Sequence, residues 1–457
     1  MTILLQTSSA MSDIVQHYLE TYADRIDVEA IEIGRNIIGD SYDVLADQLD
    51  DGPWLVAADP DTWEAAGEQV SHMLEAHDQP WHRHEIAAQP GDDHPICSNE
   101  LIETCQRALE SHGCSAGIAV GSGTVNDTMK MAAHRAGRPM AVVGTAPSMN
   151  GYTSSIAAIL SEGVKTSQAC SAPRAIVADV EVMAQAPMRL IQAGLGDLMS
   201  KPVSNSDWAI SARLNGTPHS AQAMEIIEDA ADALEGVAPR LPDRDPEAIR
   251  GLVDSLILSG IAMSVAGSSS PASGGEHLVS HYLDMTAHAF EQPYDLHGCQ
   301  VGVGTLTSAF LYEKLQAFDP SGLDIDARAD ALDDWSRYDR ILEERFGPLH
   351  DAVVGYAKPA YPSPAQLRSR LEQITEQWDA MLDEAGRTLR TRASLEQELR
   401  SANAPTRFQD LGVSKDRAHR AIVHGKDIRN RYTILHLCWE LGQLEEWGAE
   451  AIELLYA

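Results

Sequence analysis

Lysine is almost absent from this chain: there are seven in 457 residues, with arginine supplying the rest of 34 basic side chains against 68 acidic ones. The formal net charge of −34 and an isoelectric point near 4.7 argue against nucleic acid or an anionic membrane as a general partner. An anionic small molecule would need a local basic pocket set against that field. The acidity itself reads as solubility or a salty cytoplasm. Paired cysteines are missing too. Cys97, Cys105, Cys114, Cys170, Cys299 and Cys438 are scattered, with no C-x-x-C spacing. That argues against a disulfide frame or a zinc knuckle and for buried, reduced thiols in a cytoplasmic protein. No apolar run approaches the roughly 20 residues a membrane span needs. Residues 1–10 carry no basic segment, and their apolar run is too short for a signal peptide. Internal repeats and low-complexity tracts are absent as well.

What is present is organised around Ile118–Ser155. An apolar run, Ile118-Ala119-Val120, stops at Gly121-Ser122-Gly123-Thr124; a helical pattern follows to Ala136; a second run, Met140–Val143, stops at Gly144-Thr145. Strand, glycine turn, helix and strand form the unit that builds a parallel sheet. Glycines let phosphate oxygens approach the backbone, and the helix start after Thr124 offers free N–H groups and a positive dipole end. The stretch therefore reads as a pyrophosphate cradle, with an ordinary strand–helix turn as the alternative. Upstream, strands are expected at Val28–Ile33, Trp54–Ala58 and Glu85–Ala88, and helices at Ser12–Ile26, Trp63–Leu74 and Ser98–His112. A further strand is expected at Arg174–Ala178. This alternation points to an open doubly wound sheet. Asp59, at a strand exit, either accepts from an adenosine ribose or caps the following helix. The polar loop Pro147–Ser154 falls where ligands dock in such sheets.

From about Met188 the pattern becomes helical: Met188–Leu214 with a break near Pro202, His219–Leu234, Pro246–Val265, Glu276–Phe290, Gly298–Phe318, then charged helices over Leu367–Arg400 and Arg417–Leu455. The expected domains are residues 1–186, α/β and dinucleotide-binding, and residues 187–457, all helical. Within the second, Asp197 stands in the glycine-bordered Ala193-Gly194-Leu195-Gly196-Asp197-Leu198, where burying a carboxylate is costly unless it is paired or metal-bound. His277 and His281 share one helix face, and His297 precedes another apolar helix. One carboxylate with two imidazoles suits a catalytic divalent ion with an open position. His72, His77, His82, His84 and His94 read as a solvated face.

Taken in order, the motifs resemble the sn-glycerol-1-phosphate dehydrogenase family of the metal-dependent alcohol dehydrogenase, glycerol dehydrogenase and dehydroquinate synthase superfamily. They are Gly121-Ser122-Gly123-Thr124-Val125-Asn126-Asp127, Thr145–Tyr152, Ala193–Asp197 with Ser206-Asp207-Trp208, Gly275-Glu276-His277, His297-Gly298 and Arg429–His436. The resemblance implies a Rossmann-like N-terminal domain with a parallel sheet, an all-helical C-terminal domain and an active site in the cleft between them. It implies that Asp197, His277 and His297 hold one divalent metal, zinc foremost, with nickel or iron as alternatives. Gly121, Ser122, Gly123, Thr124, Thr145, Ser148 and Ser154, with Asp59, would line NAD(H) or NADP(H). Asp127 matches a position that approaches substrate hydroxyls. Iron-type relatives carry a third histidine ligand one turn after the aspartate; here that position is Lys201, which puts iron in doubt and favours an anionic substrate. Lys165 and Lys201 are candidates for its phosphate, and His281 for the phosphate or for proton transfer.

The expected reaction is reversible reduction of dihydroxyacetone phosphate, a phosphorylated triose, to sn-glycerol 1-phosphate for phospholipid biosynthesis. The enzyme would be a cytoplasmic homo-oligomer, a dimer or larger. Glycerol or another polyol dehydrogenase, a carbon–oxygen lyase of the dehydroquinate synthase type and a non-catalytic dinucleotide-binding scaffold are the alternatives.

Overall fold

The computed structural model describes residues 10–89, 94–161 and 164–456. Eight strands are β1 (Ala30–Gly34), β2 (Trp54–Ala58), β3 (Trp81–Glu85), β4 (Ala116–Gly121), β5 (Met140–Gly144), β6 (Ile156–Ser161), β7 (Val164–Ala169) and β8 (Ala175–Asp179). Six form one parallel sheet in the order β1-β8-β5-β4-β2-β3. The four inner strands β8, β5, β4 and β2 are buried throughout, which is why they read as continuous apolar runs. Val56, Ile118, Val120, Val143 and Val177 sit in the core with Val70 and Leu74 of a covering helix. Each such side chain contributes about 1.5–3 kcal/mol by leaving water.

Two strand expectations change. Residues 86–88 are not a strand; β3 lies earlier, over Trp81–Glu85. Its Trp-His-Arg-His-Glu sequence belongs to a half-exposed edge, which lacks the apolar signature of the interior. The antiparallel pair β6–β7 had no counterpart in the sequence reading.

The chain divides into two compact units, one up to Gly194 plus Gln222–Ser268, the other Leu195–Ala221 plus Ser269–Ala457. The division departs from the expected boundary after residue 186. It falls inside the helix Met188–Leu198, and the segment Gln222–Ser268 sides with the sheet. Helical periodicity cannot say which core a helix joins; contacts do. In the helix Pro246–Ala266 the Ile257 carbonyl accepts from Thr153 Oγ1 at 3.1 Å, and Ser264 Oγ donates to the Thr153 carbonyl at 3.1 Å. This helix passes the length and hydropathy test for a membrane span, but 89% of its apolar window is buried inside the protein. The second unit is helical, and its helices break where Pro202 becomes the second residue of Lys201–Asn215.

Candidate dinucleotide cradle and metal centre

In the first unit the exits of β4 and β5 are neighbours, with Gly121 opposite Gly144. The helix Gly123–Ala136 starts there with no side-chain cap and no acid in its first turn. Its leading N–H groups are thus left for an anion. A Cβ at Gly123 would meet nothing, so the protein itself does not require glycine there, whereas a Cβ at Gly121 would lie 2.5 Å from Val125. An open approach in front of uncapped N–H groups is what a pyrophosphate uses. Around it, Ser122 Oγ and Ser148 Oγ stand 2.5 Å apart, and Ser122 Oγ donates to the Ala146 carbonyl at 3.3 Å. Thr145 N–H donates to the Gly121 carbonyl at 3.3 Å. The Tyr152 hydroxyl donates to the Ala146 carbonyl at 2.7 Å and lies 3.0 Å from Ser122 Oγ. Burial pushes that phenol above its ordinary pKa, so it stays a donor.

Asp59, Ser154 and Asp127 are engaged within the protein. Asp59 realises the capping role: its Oδ1 accepts from Thr62 N–H at 2.7 Å, and Thr62 Oγ1 accepts from Asp59 N–H at 3.0 Å. Ser154 is buried, with its hydroxyl on the carbonyls of Gly151 and Ile156. Asp127 does not present a free carboxylate. One oxygen takes the Lys130 ammonium at 3.0 Å and the other accepts from Ala158 N–H at 2.9 Å. Lys130 is fully buried and also bonds the carbonyls of Gly151 and Ser154. Lys165 lies on β7 opposite Leu160; its side chain falls outside the described residues.

In the second unit two glycines bring three helices to backbone contact. A Cβ on Gly196 would run into the Gly298 carbonyl, and one on Gly304 would lie 2.6 Å from the Glu276 carbonyl. That packing sets Asp197 beside the starts of the helices that carry His277 and His297. Asp197 Oδ1 is 3.6 Å from His277 Nε2. The rings of His277 and His297 lie 5.2 Å apart, those of His281 and His297 5.4 Å, and those of His277 and His281 6.0 Å. Glu276 Oε1 holds His277 Nδ1 at 2.8 Å, and Ser280 Oγ holds His297 Nδ1 at 2.9 Å. A hydrogen bond at Nδ1 fixes each ring's orientation, the arrangement that positions metal-binding imidazoles.

The donors suit a divalent ion in chemistry, and the two imidazoles suit one in spacing. Two imidazoles bound at about 2.0–2.1 Å in a tetrahedral site bring their ring centres about 5 Å apart. Among the described residues, however, no three donors stand as a ready-made metal group. Lys201 accounts for part of this: its ammonium lies 3.2 Å from Asp197 Oδ1 and also bonds the carbonyls of Asp197 and Ala272 and Ser200 Oγ. Burial alone would raise the Asp197 pKa, but Lys201 and the imidazoles hold it well below the usual carboxylate range. Burial lowers the His277 pKa, and its bonds to Asp197 and Glu276 outweigh that and raise it. Two of the five upstream histidines lie in ring stacks of their own. His77 stacks on Tyr42 at 4.0 Å and His82 on His112 at 4.4 Å.

Over residues 32–187 the sequence matches the family described as iron-containing alcohol dehydrogenase. Glycerol-1-phosphate dehydrogenase, NAD(P)+, of Pyrococcus furiosus is 35% identical over 284 residues, 61% of this chain and 77% of that protein. The chain belongs to the glycerol-1-phosphate dehydrogenase family. The Bacillus velezensis glycerol-1-phosphate dehydrogenase is 29% identical over 413 residues, 89% of this chain and 90% of its own. A solved structure of a probable glycerol dehydrogenase from Sinorhizobium meliloti 1021 covers 93% of this chain and 98% of its own, at 18% identity and a TM-score of 0.60. That last likeness is one of fold.

For this glycerol-1-phosphate dehydrogenase family member, several residues around the centre escaped sequence reasoning. Asp207, present in the Ser206-Asp207-Trp208 motif but given no role there, is buried and accepts from Tyr312 Oη at 2.6 Å, Ile434 N–H at 2.7 Å and Gly275 N–H at 2.7 Å. Burial and the neighbouring Glu276 push its pKa up to about 7. Glu276 and Ser280, which tie the imidazoles, were visible only as neighbours of the histidines. The one available signal was a charged residue inside an apolar helix start, as at Asp197.

Proposed function

We propose that this protein is an NAD(P)H-dependent oxidoreductase that reversibly reduces dihydroxyacetone phosphate to sn-glycerol 1-phosphate with the help of one divalent metal, in the cytoplasm and as a homo-oligomer. The observation that carries this reading is the Asp197–His277–His297 set, with both imidazoles tied through Nδ1. The names of the related enzymes, glycerol-1-phosphate dehydrogenase, NAD(P)+, support the reaction class and the dinucleotide.

Asp197, His277 and His297 would hold the ion. When bound, it supplies Lewis-acid stabilisation of charge growing on the ketone oxygen. Glu276 keeps His277 in the tautomer that presents Nε2, and Ser280 does the same for His297. His281, stacked on His297, passes a proton through its imidazole to the new carbinol oxygen. The uncapped helix start at Gly123 binds the pyrophosphate, and the Ser122–Ser148 hydroxyl pair orients it; the hydride chemistry is the cofactor's own. Zinc is the preferred ion, since Lys201 replaces a third imidazole.

The test is elemental analysis of the purified protein together with NADH or NADPH oxidation on dihydroxyacetone phosphate, with the handedness of the product determined. His277→Ala should keep the fold and lose turnover. Faster turnover on unphosphorylated glycerol would point instead to a polyol dehydrogenase, and turnover without net NADH loss to a lyase. Undiminished turnover in chelator-treated, metal-free buffer would overturn the assigned roles.

A further inference from the structure

A phosphorylated substrate needs a cation with donors to spare, and the cations of the second unit differ in this. The three N–H bonds of the Lys201 ammonium face four protein oxygens. Lys426 is closed in by Tyr338 Oη at 2.5 Å and Asp427 Oδ1 at 2.6 Å, with the Trp439 ring 4.4 Å away. Arg417 is spread over the carbonyls of Leu283 and Pro293 and Thr286 Oγ1.

Arg431 is different. Its guanidinium donates to the Ser273 carbonyl at 2.5 Å and Ser269 Oγ at 2.8 Å, with the Ser269 carbonyl at 3.5 Å. Five N–H donors against three acceptors leave part of the fork unspent. Among the described residues no carboxylate lies within ion-pair distance of it. Asp207 and Glu276 are near enough to favour its charge, but burial and the neighbouring Arg429 depress its pKa. A desolvated guanidinium beside a second one is costly unless an anion joins them. The segment it grips, Ser269–Ser273, runs within four residues into Glu276-His277. That segment also takes the Lys201 ammonium on the Ala272 carbonyl.

We infer that Arg431 is the phosphate-recognising residue of the substrate site, its guanidinium fork anchored on Ser269 and Ser273 and its remaining donors facing a phosphate monoester. This rests on the substrate reading above and puts Arg431 in place of Lys201, whose ammonium is already spent on protein oxygens. It also gives a physical basis for preferring a phosphorylated ketone. An unphosphorylated polyol would leave the desolvated fork unpaired, whereas a dianion accepts it in bidentate fashion.

The experiment compares the full-length, metal-loaded wild type with Arg431→Gln and Arg431→Lys. It measures inorganic phosphate binding by calorimetry, KM for dihydroxyacetone phosphate and for NADH, and Tm in phosphate-free buffer. Arg431→Gln should weaken phosphate binding and raise KM for the ketone by roughly 10- to 100-fold, with KM for NADH unchanged. Arg431→Lys, which keeps the charge but not the fork, should fall between, and it decides the matter should the glutamine variant not fold. Wild-type affinity for phosphate in the variants, no phosphate binding by the wild type, or a lowered Tm with unchanged KM would each overturn the inference. A wild type that binds phosphate through Arg431 but does not oxidise NADH with dihydroxyacetone phosphate would sink the proposed reaction and leave the anion site standing.

Discussion

Gly123→Ala separates a phosphate cradle from an ordinary turn. A Cβ at this position meets no protein atom, and the residue opens the helix Gly123–Ala136. Alanine costs the backbone less entropy than glycine there, so the fold should be unchanged or gain up to about 1 kcal/mol. The same methyl group stands where a pyrophosphate must approach the leading N–H groups. Losing one hydrogen bond to a charged oxygen costs about 1.5–3 kcal/mol, a weakening of roughly 10- to 150-fold in dinucleotide affinity. Stability is read by urea denaturation and affinity by NADH fluorescence titration. Gly121→Ala is the control: its Cβ would lie 2.5 Å from Val125, so it should cost about 1–3 kcal/mol of stability through overpacking. NADH binding to Gly123→Ala as tight as to the wild type would refute the cradle and leave a structural turn.

Glu276→Gln keeps the shape of the side chain but removes the charge behind His277. Zinc affinity, measured by chelator competition, should fall about 10- to 100-fold, and an unchanged affinity would mean that Glu276 does not support the ligand. Lys130→Met leaves Asp127 half-buried without its cation; denaturation should show a loss of about 3–5 kcal/mol, and a loss under 1 kcal/mol would mean that water reaches the pair. Burial raises the Asp254 pKa to about 6, above the ordinary aspartate value of about 3.9. Its contribution to stability is therefore complete below pH 4 and is lost as pH rises towards 6, an amount on the order of 3 kcal/mol at most. Urea midpoints from pH 4 to 7 should show that slope in the wild type and a flatter one in Asp254→Asn; parallel profiles would refute it.

The elements that carry a strong local signal were legible. β2, β4, β5 and β8 are apolar runs ending in glycine or aspartate, and each was expected within a few residues of where it lies. Asp197, His277 and His297 were named from chemistry and resemblance; Asp197 lies 3.6 Å from His277 and the two imidazole rings 5.2 Å apart, without forming a ready-made metal group among the described residues. Lys130 was not legible: nothing in its neighbours along the chain marks it as a core residue, yet it is fully buried on Asp127 and two carbonyls. Asp59 was ambiguous because a ribose acceptor and a helix cap use the same residue at the same strand exit. β3 was misplaced because an edge strand can be as polar as a loop.

By itself the sequence determined the local grammar: strand and helix periods, the glycine turn at Gly121-Ser122-Gly123, the acidic balance, and the order of motifs that marks the family. Each of these depends on near neighbours along the chain. The tertiary structure alone decided that Pro246–Ala266 joins the sheet-bearing unit, that Lys201 neutralises Asp197, that Glu276 and Ser280 orient the imidazoles, and that Arg431 keeps donors in reserve. Those are matters of which oxygen meets which N–H in the folded chain, from Lys201 one helical turn away from Asp197 to Arg431 on the Ser273 carbonyl, 158 residues apart. Only the folded packing, with Gly196 against Gly298 and Gly304 against Glu276, brings them within reach.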